Sequence, residues 1–370
     1  MIVVIGAGLI GLAIAYELRS RGGNVRVIDA REPGAAASWA GAGMLAPYAE
    51  HIAHPAFEAL CVDSLARYPD FVARLYADGG VDARLHLDGL LEVASNDADV
   101  ARLRALVAGR AARGIAAEWL EPHDAHRREP ALRANVRGAA FSPTEGHIDN
   151  RRLGRALRAA CDALGVRIDA FAGDVALEAD ARRVLGVRGP QGFIAADTVV
   201  NAGGAWAARL AGVPPKARVP VVPVKGQMLA LAVPRDFVRS VLWVPGAYLV
   251  PRDDGRLLIG ATVEPAAGFD VRVTAQGVRT LLDAALGALP ALGTFAVAET
   301  WAGLRPGTPD ELPYLGSTPL GGYVVAAGHY RNGILLTPGT ASGIADLIEG
   351  KPGAAATLAP FALDRTTRAA

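Results

Sequence analysis

Lysine is nearly absent from this 370-residue chain. It occurs only at Lys216, Lys225 and Lys351, although lysine and arginine together number 38 against 37 acids. Arginine therefore carries the positive charge. A net charge of +1 with no basic block predicts a mixed, solvated surface, not a nucleic-acid footprint. Cysteine is equally scarce. Cys61 and Cys161 stand far apart with no C-x-x-C spacing, which argues against a disulfide framework and predicts two buried, reduced thiols in a cytoplasmic protein. His51 and His54 have no third ligand nearby, so no metal site is expected. No run approaches 18 apolar residues free of glycine, proline or charge, and a membrane-spanning helix is not expected. The first 16 residues carry no charge, but no basic segment precedes them and Glu17 ends the run. A targeting segment is therefore not expected. No internal repeat emerges.

What is present begins at the N-terminus. Ile2-Val3-Val4-Ile5 is a short β-branched run, Gly6-Ala7-Gly8-Leu9-Ile10-Gly11 a G-x-G-x-x-G turn, and an apolar helix pattern follows to about Arg21. Val25-Arg26-Val27-Ile28-Asp29 then supplies a second strand and a terminal acid. In such a βαβ unit the first glycine allows the tight turn, the second lets backbone approach a pyrophosphate, and the third lets helix and strand pack closely. The helix N-terminus offers unpaired N–H groups to phosphate, and the acid can accept from ribose hydroxyls. An adenine dinucleotide site is predicted, with NAD or FAD better suited than NADP, although the nearby Arg31 keeps NADP open.

Small residues dominate from Gly34 to Leu45, where backbone can press on something large and flat. Pro55 to Ala77 has helical spacing. Short strands follow from Val81, then a helix over about Asp97–Arg113, a loop over Glu121–Glu129 and a strand at Arg137–Phe141. A helix capped by Asp149 or Asn150 runs to Gly165. Three short strands span Asp174 to Asp197, and Thr198–Asn201 opens through Gly203-Gly204 into a helix. A second strand-rich block begins at Val219, with a hairpin turn at Pro251–Arg256, and a helix covers about Thr274–Ala288. Near the end, a strand (Gly322–Ala327), a loop (Gly328–Gly333) and a helix (Ile334–Ile348) repeat the opening pattern, before an Ala-rich tail expected to fray from Pro352.

That closing unit separates the cofactors. A nicotinamide enzyme needs one dinucleotide site and a catalytic domain, whereas this chain returns to its sheet and opens its last helix with small and cationic residues. A helix N-terminus there would stabilise negative charge on a reduced flavin ring.

The Gly6–Gly11 turn, Ala37-Ser38-Trp39-Ala40-Gly41-Ala42-Gly43-Met44-Leu45, Trp301-Ala302-Gly303-Leu304-Arg305-Pro306 and Gly328-His329-Tyr330-Arg331-Asn332-Gly333-Ile334-Leu335-Leu336 together resemble the D-amino-acid oxidase superfamily of FAD-dependent oxidoreductases. Within it they are most similar to the glycine-oxidase branch of thiamine biosynthesis. The likeness runs from Met1 to about Glu349. It implies an α/β fold. A Rossmann-like FAD-binding domain of glutathione-reductase type would be assembled from 1–80, 145–217 and 302–360. A second, α+β substrate domain on a mixed or antiparallel sheet would come from 81–144 and 218–301. It also implies FAD held non-covalently, oxidation of glycine or another small amine to an imine with molecular oxygen as acceptor, and a homo-oligomer, often a tetramer. By the same resemblance Arg305 binds the substrate carboxylate, Tyr248 helps to hold it, and Arg331 lies beside the flavin. The implied cofactor contacts are Gly6, Ala7, Gly8, Ile10, Gly11, Asp29 and Ala30 in the first unit, and Ser38, Ala40, Gly41, Gly43 and Met44 in the small-residue stretch. Val175, Asn201, Ala202, Gly203 and Trp206 come from the middle of the chain, and Arg305, His329, Arg331, Asn332, Gly333, Ile334 and Leu335 from its end. His329 is expected to position the loop or flavin, not to act as a base. Sarcosine or D-amino-acid oxidation, a quinone as acceptor, and flavin binding without turnover are the alternatives.

Overall fold

The computed structural model describes residues 1–365. Two large sheets organise it. The first has six strands, in the spatial order Tyr314–Ser317, Tyr323–Ala327, Thr198–Asn201, Ile2–Ile5, Val25–Ile28 and Arg167–Asp169. All pair in parallel except Tyr314–Ser317, which is antiparallel at the edge. Alternation along the strands divides the core. Val4, Val27, Val200 and Val324 face the helices Leu9–Ser20, Asn150–Ala163 and Thr337–Ile348, while Val3, Ile28, Val199 and Val325 face a three-stranded antiparallel sheet built from 176–195. Burial on both faces explains the near-continuous apolar strands.

The second sheet has eight strands. Its half nearest the site runs Val297–Gly307, Val222–Ala232, Arg256–Gly260, Ala247–Pro251 and Val241–Val244, and its far half is drawn from 90–142. One face buries Leu229, Leu231, Leu249, Leu257 and Ile259 against the helix Ala275–Ala288, whose Thr274 cap accepts from Gly277 N at 3.1 Å. The opposite face looks back towards the first sheet. The 301/302 boundary expected from the sequence falls inside the strand Val297–Gly307, which pairs along its length with Val222–Ala232.

Several local expectations change. The Pro55–Ala77 pattern is two helices, Pro55–Ala66 and Tyr68–Gly79, because Pro69 lacks an N–H and so belongs in a first turn. The Glu121–Glu129 loop contains the helix Pro122–Arg128, again started by proline. Asp149, not Asn150, caps the Asn150–Ala163 helix, accepting from Arg152 N at 2.9 Å. The chain after Asn201 turns through a 3-10 helix, Gly204–Arg209, and the last long helix starts at Thr337, not Ile334. The tail does not fray at Pro352. Ala354–Leu358 is helical, and Phe361 is buried against Phe57, with ring centroids 6.3 Å apart. The final five residues of that expected tail, 366–370, lie outside the described residues. Among the described residues no helix is long and apolar enough to cross a membrane.

Candidate active site

Where the two sheets face each other lies a cavity of about 750 Å³. Its dinucleotide end is shaped by glycine. Gly6 has φ +104°, and a β-carbon there would sit 2.4 Å from the Ala202 carbonyl oxygen; one on Gly11 would sit 1.8 Å from Gly6 O. Gly8 differs. A β-carbon would meet only Ser38 Oγ, at 3.2 Å, so its backbone lies open to the cavity as phosphate contact requires. Leu9 N donates to Ser38 Oγ at 3.0 Å. Asp29 accepts from Ala7 N at 2.6 Å and Arg31 N at 2.9 Å, which ties the turn to the end of the second strand. Asn201 holds the next loop. Its Oδ1 accepts from Gly203 N at 3.1 Å, while its amide donates to Ala207 O and Tyr323 Oη. Arg31 lies over Trp206, its guanidinium carbon 3.7 Å from the ring centroid.

The other end is floored by the open face of the eight-stranded sheet. Register sets a row across it, from Trp243 through Tyr248, Gly260 and Met228 to Trp301. Gly260 must lack a side chain, because a β-carbon would lie 2.7 Å from the Tyr248 ring. Tyr248 Oη donates to Met228 Sδ at 3.4 Å. Burial pushes this hydroxyl's pKa up, and Arg305 pulls it back. Arg305 projects from the same face two rows on. It lies across the neighbouring strand over Gly226, where a β-carbon would be 2.3 Å from its Nη1, and Nη1 donates to Thr262 O at 3.1 Å and Lys225 O at 3.5 Å. The guanidinium is half-buried and retains donors for an anion.

Between these ends run the small-residue stretch and the C-terminal loop. Trp301 Nε1 donates to Ala40 O at 2.9 Å, and a β-carbon on Gly303 would be 2.4 Å from Ala40 Cβ. The loop is fixed from below. Ser64 Oγ donates to Leu335 O at 2.7 Å and accepts from Gly339 N, and Tyr68 Oη donates to Ile334 O. His329 is fully enclosed beside Thr340 Oγ1, at 3.1 Å, and burial lowers its pKa to about 3. It is a neutral spacer.

The cavity lining includes every residue expected at the site except Ala7, Gly11 and Leu335. Ala7 is buried with its N–H turned to Asp29, Gly11 packs against Gly6, and Leu335 enters the helix-side core. Arg331 stands exposed at the mouth. Sequence reasoning missed Glu50, Gly226, Met228 and Gly260. The two glycines act only through partners on adjacent strands, which no local motif announces.

The model for FAD dependent oxidoreductases of the D-amino-acid oxidase type matches residues 1–347. The chain belongs to this family. It is 40% identical over 356 residues to a bifunctional ThiO/ThiG protein of Synechocystis, covering 94% of this chain and 51% of that protein. The chain thus spans about half the length of the bifunctional relatives it matches. It is 36% identical to a glycine oxidase of Pseudomonas putida, with 94% of each chain covered. Among solved structures, a glycine oxidase from Geobacillus kaustophilus superposes with a TM-score of 0.92 at 35% identity, covering 98% and 97% of the two chains. The family's FAD fits the residues present. Backbone is bare at Gly8, the Gly6 and Gly11 contacts admit no side chain, and small residues line the cavity from Gly34 to Gly43. Gly8, Ser38, Asp29 and Gly203 would hold the dinucleotide, and Gly41, Gly43, Asn332 and Gly333 would adjoin the ring.

Proposed function

We propose that this family member oxidises glycine or another small primary or secondary amine bearing one carboxylate, with molecular oxygen as final acceptor. The product would be an imine that hydrolyses to the oxo acid and ammonia (a primary amine when the substrate is secondary) or, from glycine, feeds thiazole formation in thiamine synthesis. The single observation that carries the reading is Arg305 lying over Gly226, with free donors in a cavity also bounded by Tyr248. A carboxylate taken out of water needs such a cation. When bound, FAD supplies the acceptor for a hydride from the substrate α-carbon. The chain's own residues bind and orient: Arg305 fixes the carboxylate, Tyr248 donates beside it, and Met228 and Trp243 bound the pocket on the sheet face. His329 is uncharged near neutral pH and, with its pKa lowered to about 3 by burial, a poor base. Positioning and electrostatics therefore carry the chemistry. The similarity to glycine oxidases supports the substrate. The family resemblance supports the two-domain division with FAD on one side and substrate on the other, and a homotetramer. The two buried free cysteines accord with a cytoplasmic setting.

The test is the visible spectrum of FAD-reconstituted protein before and after anaerobic glycine. The flavin band should bleach, then return on admitting air with release of peroxide. A band indifferent to glycine would refute the substrate, and bleaching by sarcosine or D-alanine instead would reassign it.

A further inference from the structure

The substrate end of the cavity contains a carboxyl group with no partner of its own. Glu50 lines the cavity wall, and among the described residues its carboxylate accepts no hydrogen bond and closes no ion pair. The backbone that carries it is nevertheless fastened on both sides. Glu145 Oε1 accepts from Tyr48 N at 2.6 Å and from Ala49 N at 3.1 Å. Arg110, itself joined to Glu92 and Ser142, donates to Tyr48 O at 2.7 Å, and His51 Nε2 meets Glu92 Oε2 at 3.1 Å. Buried polar and charged groups thus fasten a short segment from both sides and leave its acid on the cavity wall without a partner. The charged groups that face that acid are Arg331, Arg305, His51 and, with opposite sign, Glu311. Burial pushes the Glu50 carboxyl's pKa up, and the two arginines and His51 oppose it.

Charge counting then says what the acid does. Arg305 and Arg331 together would present two positive charges to an incoming ligand, and such a pocket prefers a dianion. One carboxylate on the wall reduces the excess to a single charge. We propose that Glu50 is a specificity-determining residue of this site: in its ionised form, the form that the facing Arg305 and Arg331 favour, its negative charge cancels one of the two guanidinium charges, so that amines with one carboxylate are admitted and amines with a second anionic group are turned away. The proposal rests on the amine-oxidase reading above and concerns which amines that site accepts.

The test uses FAD-reconstituted wild type, Glu50→Gln, Arg331→Met and the double variant. Glycine and iminodiacetate are the one- and two-carboxylate substrates; acetate and malonate are the corresponding non-reacting probes, followed by perturbation of the flavin spectrum. Glu50→Gln should raise the iminodiacetate-to-glycine ratio of kcat/KM roughly tenfold or more, mainly through KM, and favour malonate over acetate by a similar factor. In the Arg331→Met background the same change should gain less than about threefold. An unchanged ratio, or equal losses for both substrates, would overturn the proposal. Should Glu50→Gln not take up FAD, Arg331→Met alone decides: malonate must weaken more than acetate, and equal weakening refutes the charge count. Because the malonate and acetate titrations need no turnover, failure to oxidise glycine would sink the oxidase reading while leaving this comparison decisive.

Discussion

Gly226→Ala offers a sharp test of how the sheet positions its arginine. Residues 226 and 305 are diagonal neighbours on one face of paired strands, since Gly226 pairs with Gly303 and Val224 with Arg305. An alanine β-carbon would lie 2.3 Å from Nη1 and 2.6 Å from both Cζ and Nη2 of Arg305. Ordinary contact needs about 3.5 Å, so the guanidinium must move by about 1 Å. The tip of an arginine can do this without disturbing the backbone. Gly226 is not among the glycines with positive φ, so alanine suits the strand and stability should change by less than about 1 kcal/mol. Catalysis should suffer more. A 1 Å misplacement of a binding group costs up to about 10², so kcat/KM for glycine should fall roughly 30- to 100-fold, or about 2–3 kcal/mol, with FAD content unchanged. Steady-state kinetics beside thermal unfolding measures both quantities. The double variant Gly226→Ala/Arg305→Ala should be no worse than Arg305→Ala alone. Wild-type kinetics in Gly226→Ala, or additive losses in the double variant, would refute the claim that this glycine acts through Arg305.

Arg305→Ala itself should retain flavin and lose kcat/KM by roughly 10²–10³, about 3–4 kcal/mol, as read from initial rates. Gly8→Val should give folded but colourless protein after FAD reconstitution, whereas Gly11→Val, aimed at a carbonyl 1.8 Å away, should lower the melting temperature of the apoprotein too. Burial raises the Glu145 carboxyl from 4.5 to about 7. The folded state therefore binds the extra proton between those values, and stability falls as pH rises through them, by about 3 kcal/mol. Glu145→Gln should show a flatter urea-unfolding stability between pH 5 and 8 than wild type, and parallel curves would discount that carboxyl. His329→Gln should leave the limbs of the kcat/KM–pH profile where they are, because a group lowered to about 3 is already neutral there.

The sequence carried the dinucleotide turn, its strands and the C-terminal loop openly, because each is a contiguous run whose spacing mirrors its geometry. Gly6, Gly11 and the β-branched strands required no tertiary knowledge. Arg305 and Tyr248 were legible through resemblance to relatives, not through pattern. Gly226 and Gly260 were not legible. Their role is set by side chains on neighbouring strands, and only register reveals which neighbour. Glu50 was hidden for a related reason: an acid in an otherwise unremarkable loop gains meaning from Arg331, which lies 281 positions later in the chain. The break at Arg67 was written in Pro69, yet the apolar spacing across it remained helical and masked it.

The strand Val297–Gly307 works as a ruler. Its odd-numbered residues reach across in turn: Glu299 to Arg151 at 3.0 Å, Trp301 to Ala40, Gly303 flush against Ala40, and Arg305 into the pocket. The phase of that series is reset near its start, where pairing skips from Ala230–Glu299 to Leu231–Val297 and leaves Ala298 as the additional residue of a bulge. A one-residue deletion or insertion immediately after Ala298 would therefore do more than weaken one contact: it would turn the whole row of anchors that follows to the helix-covered side. Cofactor retention and substrate binding would then be lost together. For anyone grafting or recombining segments of this scaffold, a cut inside this strand at any point after its bulge should be scored by whether the colour of the purified protein survives.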